Sequence, residues 1–415
     1  MQDDFWLPEG WKMIVPLGGG SGLSRLRMGR WFFPFLLLAT LLQNYFDLSA
    51  LMTTGSLALY MYTGPIVYKL GKDIAYLCLL LSIVWVARKS GRTPLVDYAL
   101  GLVVLVLVQW AISVLVNGPL IATIGLRWIT PFILFLLMRD WVNGLDKRVV
   151  AKWVLWGMYL CIAVQVVQLF TMPPVFGEVL PGIPARTPGI FIVPNSASLF
   201  GCASAALLMV LHSESRSRCW YFVFLAAMIS LLTQSGTGIV TVALMALFVF
   251  CGRRINLFGL LMLVSVLLLI PSLNVLTQRA DFVQISGGGR LKVLWDMLSG
   301  ASFGISNFGV YTNAANLVSE NPAGQVAPDS LVASWIGNFG VFWIFGLLLV
   351  GLFVRFRMTQ VDWIRATPAV IVLACFSMTT IVFEAFPMNL YLAIALWSAL
   401  KIKHVSPSPE LLAGT

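Results

Sequence analysis

The residues best placed to do chemistry in this chain are a few cations and one carboxylate. Arg290 follows Gly287, Gly288 and Gly289 and opens an apparent helix start. Glycine-rich backbone leading into a helix exposes N–H groups and a positive dipole end, which together favour an anion. The plain alternative is a solvated arginine on a flexible loop. Arg186 sits between Pro184 and Pro188, either gripping an anion or anchoring the chain at a membrane interface. A planar guanidinium holds phosphate oxygens with two hydrogen bonds at once, so phosphate chemistry is what these arginines fit. Arg279 and Lys292 add charge around Arg290. Asp329 opens the segment PDSLVASWIGNFG. There it can serve as a general base on a rigid helix or as a helix cap. Glu178 and Glu320 are weaker acid–base candidates. Arg127 lies inside an apolar run, about 12 Å from its start at the helical rise. A charge so deep faces a bundle interior or a wet cavity, and a structural partner such as Glu384 or Asp47 would explain it equally well.

The chain has two histidines, His212 and His404, and neither falls near these residues. The carboxylates are scattered, so no metal site is expected. No cofactor is expected.

The elements that must position these groups are membrane helices. Hydrophobic residues make up 59% and charged residues 11% of 415 residues. Segments of this length and apolarity can cross a hydrocarbon core. Twelve are expected, at about 31–47, 72–87, 95–116, 119–138, 150–171, 190–211, 219–234, 236–251, 255–275, 331–354, 365–382 and 385–400. Segment 48–66 reads as half-inserted, with a thirteenth span as the competing reading. All but seven of the 27 Lys and Arg then fall on one side. The positive-inside rule makes that side cytoplasmic. Residues 1–30 and 401–415 are cytoplasmic, 31–400 form one membrane domain, and a long polar loop of about 277–328 lies outside. Within it Leu291, Leu294, Trp295 and Leu298 share one helical face, which reads as a short amphipathic helix over the bundle. The net charge of +10 is therefore a topology signal and no sign of nucleic-acid binding. No cleavable signal peptide is expected. The six cysteines read as buried apolar residues without a disulfide framework.

Five segments, in order, carry a resemblance: ARTPGIFIVPNSASLF (185–200), TQSGTGIVTVALM (233–245), GGGRLKVLWDML (287–298), FGISNFGV (303–310) and APDSLVASWIGNFGVFWIFGLLL (327–349). Together they resemble the O-antigen ligase and polymerase superfamily over roughly 185–350. That resemblance implies an all-α polytopic membrane protein with a large periplasmic loop, similar to C-type glycosyltransferases and independent of metal. It implies a glycan donor on undecaprenyl pyrophosphate. Arg186 and Arg290 match the arginines thought to hold that pyrophosphate, and Asn195 belongs to the matching Pro-Asn segment. Ligases carry a histidine where this chain has Asp329, which favours a polymerase.

The expected function is thus an inner-membrane polymerase of O-antigen, capsule or exopolysaccharide. Arg186 and Arg290 would stabilise the departing pyrophosphate, while Asp329 would orient or deprotonate the acceptor hydroxyl. Arg279, Lys292, Arg127, Asn195, Glu178 and Trp295 would bind substrate, with Trp295 stacking on sugar. The expected partners are lipid-linked donor and acceptor, membrane lipid and, as a further candidate, a chain-length regulator. A ligase passing glycan to lipid A-core is the runner-up, and a secondary transporter or flippase the reading from another class.

Overall fold

A computed structural model describes residues 22–55, 70–90, 94–252, 254, 256–259, 261, 307–315, 330–340 and 360–401. They are mostly helical. Helices α1 (Gly22–Thr54), α2 (Gly71–Ser90), α3 (Pro94–Leu137), α4 (Arg139–Asn143) and α5 (Lys147–Thr171) lead into a small ribbon, β1 (Glu178–Leu180) and β2 (Ile183–Pro184). Then come α6 (Pro194–Leu211), α7 (Arg216–Thr233), α8 (Gly236–Phe250) and α9 (Leu331–Phe339). Strand β3 (Gln360–Val361), α10 (Trp363–Ser377), a 3-10 turn (Val382–Glu384), α11 (Met388–Ala399) and β4 (Leu400–Lys401) complete the order. The strands form two antiparallel pairs, β1 with β2 and β3 with β4.

Local signals place the helix starts. Asp146, Ser215, Ser235, Ser330 and Asp362 each accept a hydrogen bond from a backbone N–H in the first turn of the helix that follows, satisfying donors that the helix itself leaves open.

Among the described residues, four segments are long and apolar enough to cross a membrane: Arg30–Thr53, Gly101–Leu137, Lys147–Thr171 and Pro194–Leu211. The apolar helices α8, α10 and α11 are shorter. Large apolar side chains point outward, with Leu115 87% and Phe170 83% exposed, as a lipid-facing surface requires. These features make it a mostly helical membrane protein.

One boundary differs from expectation and another falls where it was expected. Helix α1 continues unbroken to Thr54, so the first apolar helix is longer than 31–47 and takes up the start of the 48–66 segment. Helix α3 is interrupted at Gly118 (φ 85°, ψ 163°), a conformation open essentially to glycine alone. The break falls between the expected spans 95–116 and 119–138. Leu102, Val106 and Trp110 before it share one apolar cluster with Leu126, Trp128, Ile129 and Phe132 after it. A straight helix would hold Val106 and Ile129 about 35 Å apart, so the two arms are folded toward a common core.

The main core forms around α6, which is buried along nearly its whole length and packs against α5, α7, α8, α10 and α11. Small residues on α6, among them Ala197, Ser198, Gly201 and Ala205, allow this close approach. At Gly238 there is no room for a side chain: an added Cβ would collide with Ser198 Oγ and lie 2.9 Å from Ser230 Oγ. Gly238→Ala should therefore lower stability by about 1–3 kcal/mol, the usual cost of overpacking. A thermal melt in detergent checks this, and an unchanged midpoint would contradict the packing described.

Candidate functional site

At one end of α6 the chain leaves helical geometry repeatedly, and the polar groups gather there. The segment after β2 runs as irregular backbone to Val193. Because its N–H and C=O groups are buried, they need partners. Gln165 and Gln168, both fully buried on α5, supply them. Gln168 donates to Gly189 O at 2.9 Å and accepts from Gly189 N at 2.8 Å, and Gln165 Nε2 donates to Thr187 O at 3.2 Å. Thr187 donates from both N and Oγ1 to Leu232 O.

That scaffold positions Arg186. Its Nε donates to Thr233 O at 2.9 Å, at the C-terminal end of α7, where the helix dipole leaves partial negative charge. One residue later Gln234 adopts the left-handed conformation (φ 47°, ψ 39°), and the chain turns into α8. Asn195, in the first turn of α6, joins three elements. Its Nδ2 donates to Thr380 Oγ1 at 2.8 Å, and its Oδ1 accepts from Ser235 Oγ at 2.8 Å. Arg186 and Asn195 thus border one polar seam, formed by residues 186–195, 233–235 and the segment 378–387 between α10 and α11. That last segment contains a cis Phe386–Pro387 bond.

A second group of charges borders the same segment. Arg127 Nε and Nη2 donate to the two oxygens of Asp73 at 2.9 and 2.8 Å. The partner is therefore Asp73, not Asp47, and both side chains keep substantial exposure, 40% and 32%. Glu384 lies within electrostatic reach of Lys72 and Arg127 and accepts from Asn313 N at 3.2 Å. Lys72, Tyr76, Arg127, Trp128, Phe383 and Glu384 line a cavity of about 40 Å³, room for a very few water molecules. Trp128 packs against Trp335, Phe339 and Phe383. Its indole N–H and that of Trp335 are buried with no hydrogen-bond partner. Burial pushes the Glu384 carboxyl up to about 7, against the opposing pull of Lys72, the Asn313 N–H and Arg127.

Residues 307–315 complete this region. Asn338 Oδ1 accepts from Gly309 N and Tyr311 N, and its Nδ2 donates to Tyr311 O. Ser113 Oγ donates to Phe308 O at 2.6 Å. Gly309 (φ 93°) leaves no space for a Cβ against Ile121 O.

Of the residues expected to act, the structure brings Arg186 and Asn195 to the seam and Arg127 to the cavity beside Glu384. Glu178 is exposed on the β1–β2 ribbon. Asp329, Arg290, Arg279, Lys292, Trp295 and Glu320 lie outside the described residues. The cap of α9 is Ser330, which accepts from Ala333 N at 3.4 Å and donates to Ser377 O at 3.1 Å. Capping therefore falls to Ser330, where the sequence alternative assigned it to Asp329. His212 caps the far end of α6, away from the seam. Among the described residues, no group of three or more His, Cys, Asp or Glu is placed to hold a metal ion.

Sequence reasoning named Glu384 as a partner for Arg127, which lies within its electrostatic reach, and missed that Lys72 and Asp73 join them. The available signal was Lys72–Asp73 at the start of one apolar segment.

The raised Glu384 carboxyl has a defined pH consequence. A carboxyl whose folded pKa exceeds its unfolded value stabilises the fold at low pH, and that contribution is lost as pH rises through the folded value. The melting midpoint should fall between pH 5 and 8, and Glu384→Gln should remove that part of the slope. Melts in detergent across this range test it, and an equal slope in the variant would contradict it.

No family model, curated protein or solved structure matches this chain.

Proposed function

We propose that the chain is a metal-independent polymerase of O-antigen, capsular or exopolysaccharide repeat units in the bacterial inner membrane. It would have about twelve spans, both termini in the cytoplasm and the polar seam on the periplasmic side. The donor is a glycan on undecaprenyl pyrophosphate and the acceptor a sugar hydroxyl of a second lipid-linked unit. The observation that carries this reading is Arg186, held by Thr233 O beside Asn195 in a polar seam on an otherwise apolar bundle. A guanidinium fixed at such an edge is suited to the phosphates of a lipid-borne donor.

A further feature supports it. The charged cavity beside Glu384 is walled by Trp128 and Phe383 and, at about 40 Å³, has room for a hydroxyl group or a water but not for a sugar ring. The unpartnered indole N–H of Trp128 is a donor suited to a hydroxyl. In the proposed step, the acceptor oxygen attacks the anomeric carbon, whose bond to the pyrophosphate breaks with inversion. Arg186 and Arg290 take up the charge on the leaving pyrophosphate. Asp329 orients the hydroxyl or receives its proton.

The transporter reading is favoured by one specific observation. The Asp73–Arg127 ion pair, with Lys72 and Glu384 near it, is the arrangement that substrate pathways through membranes use, and helix α3 is discontinuous. A ligase would share the donor site and differ in its product.

Arg186→Lys and Arg290→Lys keep a charge and lose the two-pronged grip. In a strain lacking the chromosomal copy, each should cut polymer formation by roughly tenfold or more, leaving single repeat units on the lipid. Long chains stranded on the lipid carrier would indicate a ligase. Transport of lipid-linked units by proteoliposomes with no new glycosidic bond would indicate the transporter. Normal polymer from both variants would remove the anion role.

A further inference from the structure

A second cavity lies at the opposite end of α6 from the Arg186 seam. It has a volume of about 290 Å³, room for a headgroup-sized molecule when one water occupies about 30 Å³. Its floor is apolar, formed by Met209, Phe248, Val249 and Ile364, and its rim carries Arg216, Arg365 and Glu214. Helices α7 and α10 both begin at this rim, capped by Ser215 and Asp362, so two positive helix ends approach it.

The two arginines are placed differently. Arg216 is exposed and donates from Nη2 to Phe250 O at 3.1 Å, which holds its guanidinium over the opening. Arg365 Nε is buried without a hydrogen-bond partner. Arg365 as a whole is half-buried and lines the cavity, and a guanidinium there presents a planar fork suited to phosphate oxygens. Two carboxylates stand nearby. Glu214 is exposed, and Asp362 accepts from Arg365 N at 3.2 Å.

We propose that this cavity binds the phosphodiester headgroup of an anionic membrane phospholipid. The phosphate sits between Arg216 and Arg365, and the glycerol–acyl junction lies against Met209, Phe248 and Val249. The apolar floor and the location at the end of apolar helices favour a lipid over a free anion, because a soluble phosphate has nothing to place on that floor. Basic pockets between membrane helices recognise anionic lipid heads by this combination. The inference stands independently of the polymerase reading, since it uses none of the same residues.

The test uses the full-length protein in a neutral detergent, with dioleoyl phosphatidylglycerol and dioleoyl phosphatidylcholine as probes. Native mass spectrometry of the wild type should show phosphatidylglycerol retained in preference, and the same lipid should raise the melting midpoint. Arg216→Gln and Arg365→Gln should each weaken that binding roughly fivefold. Glu214→Gln, on the exposed rim, should strengthen it. Equal retention of the two lipids by the wild type would overturn the proposal whether or not the arginine variants fold. So would displacement of phosphatidylglycerol by millimolar inorganic phosphate, which would make the ligand a soluble anion. Unaltered affinity in folded Arg216→Gln and Arg365→Gln would also overturn it.

Discussion

Irregular backbone inside an apolar bundle must find hydrogen-bond partners within the protein, because hydrocarbon offers none. That constraint organises the end of the molecule that carries the polar seam. The segments 185–193, 307–315 and 378–387 all leave α-helical geometry, and each is met by a buried side-chain amide. Gln168 brackets Gly189 by donating and accepting at once. Asn338 does the same for Gly309 and Tyr311. Asn389 donates to Phe383 O and to Tyr76 Oη. Without these amides the cost of each unpaired group would be of order 1–3 kcal/mol, enough in sum to unravel the segments that carry Arg186 and Glu384.

The same constraint explains why charge collects where it does. Asp73 pairs with Arg127, and Glu384 lies within electrostatic reach of Lys72 and Arg127, so the group gathers across three elements. With its partners partly exposed, the Asp73–Arg127 pair adds little net stability. Its value lies in neutralising the Arg127 guanidinium at the wall of the cavity. The opposite end of the bundle differs at Arg365, where a guanidinium nitrogen is buried without a hydrogen-bond partner among the described residues. The two ends therefore differ in kind: one holds its guanidinium in an internal ion pair, the other presents one to the anion proposed there.

Much of the helical framework was legible in the sequence because long apolar runs have few alternatives. The Gly118–Pro119 pair was readable as a break for the same reason, since only glycine enters that conformation freely. The β1–β2 ribbon could not be read from the sequence, whose prolines in that stretch exclude a helix without specifying strands. Arg186 was legible from its proline setting and Asn195 from a resemblance, whereas their tie through Thr233, Ser235 and Thr380 depends on contacts as far as 185 residues apart in sequence. Arg127 was recognised as needing a partner, yet Asp73 is 54 residues away and only packing reveals it. The buried Gln165, Gln168, Asn338 and Asn389 went unremarked. Each is an amide at a helical position within an apolar stretch, and the expense of placing one there was the available clue.

The turn at 307–315 has a consequence beyond its own shape. Gly309 presses against the second arm of α3, at Ile121 and Gly125, so closely that no methyl group fits there, Ser113 of the first arm donates to Phe308 O, and Asn313 rests on Glu384. The turn therefore behaves as a tie rod between the broken helix and the carboxylate. Displacing either end must drag the other, so an occupant of the small cavity would be felt mechanically across the fold of α3.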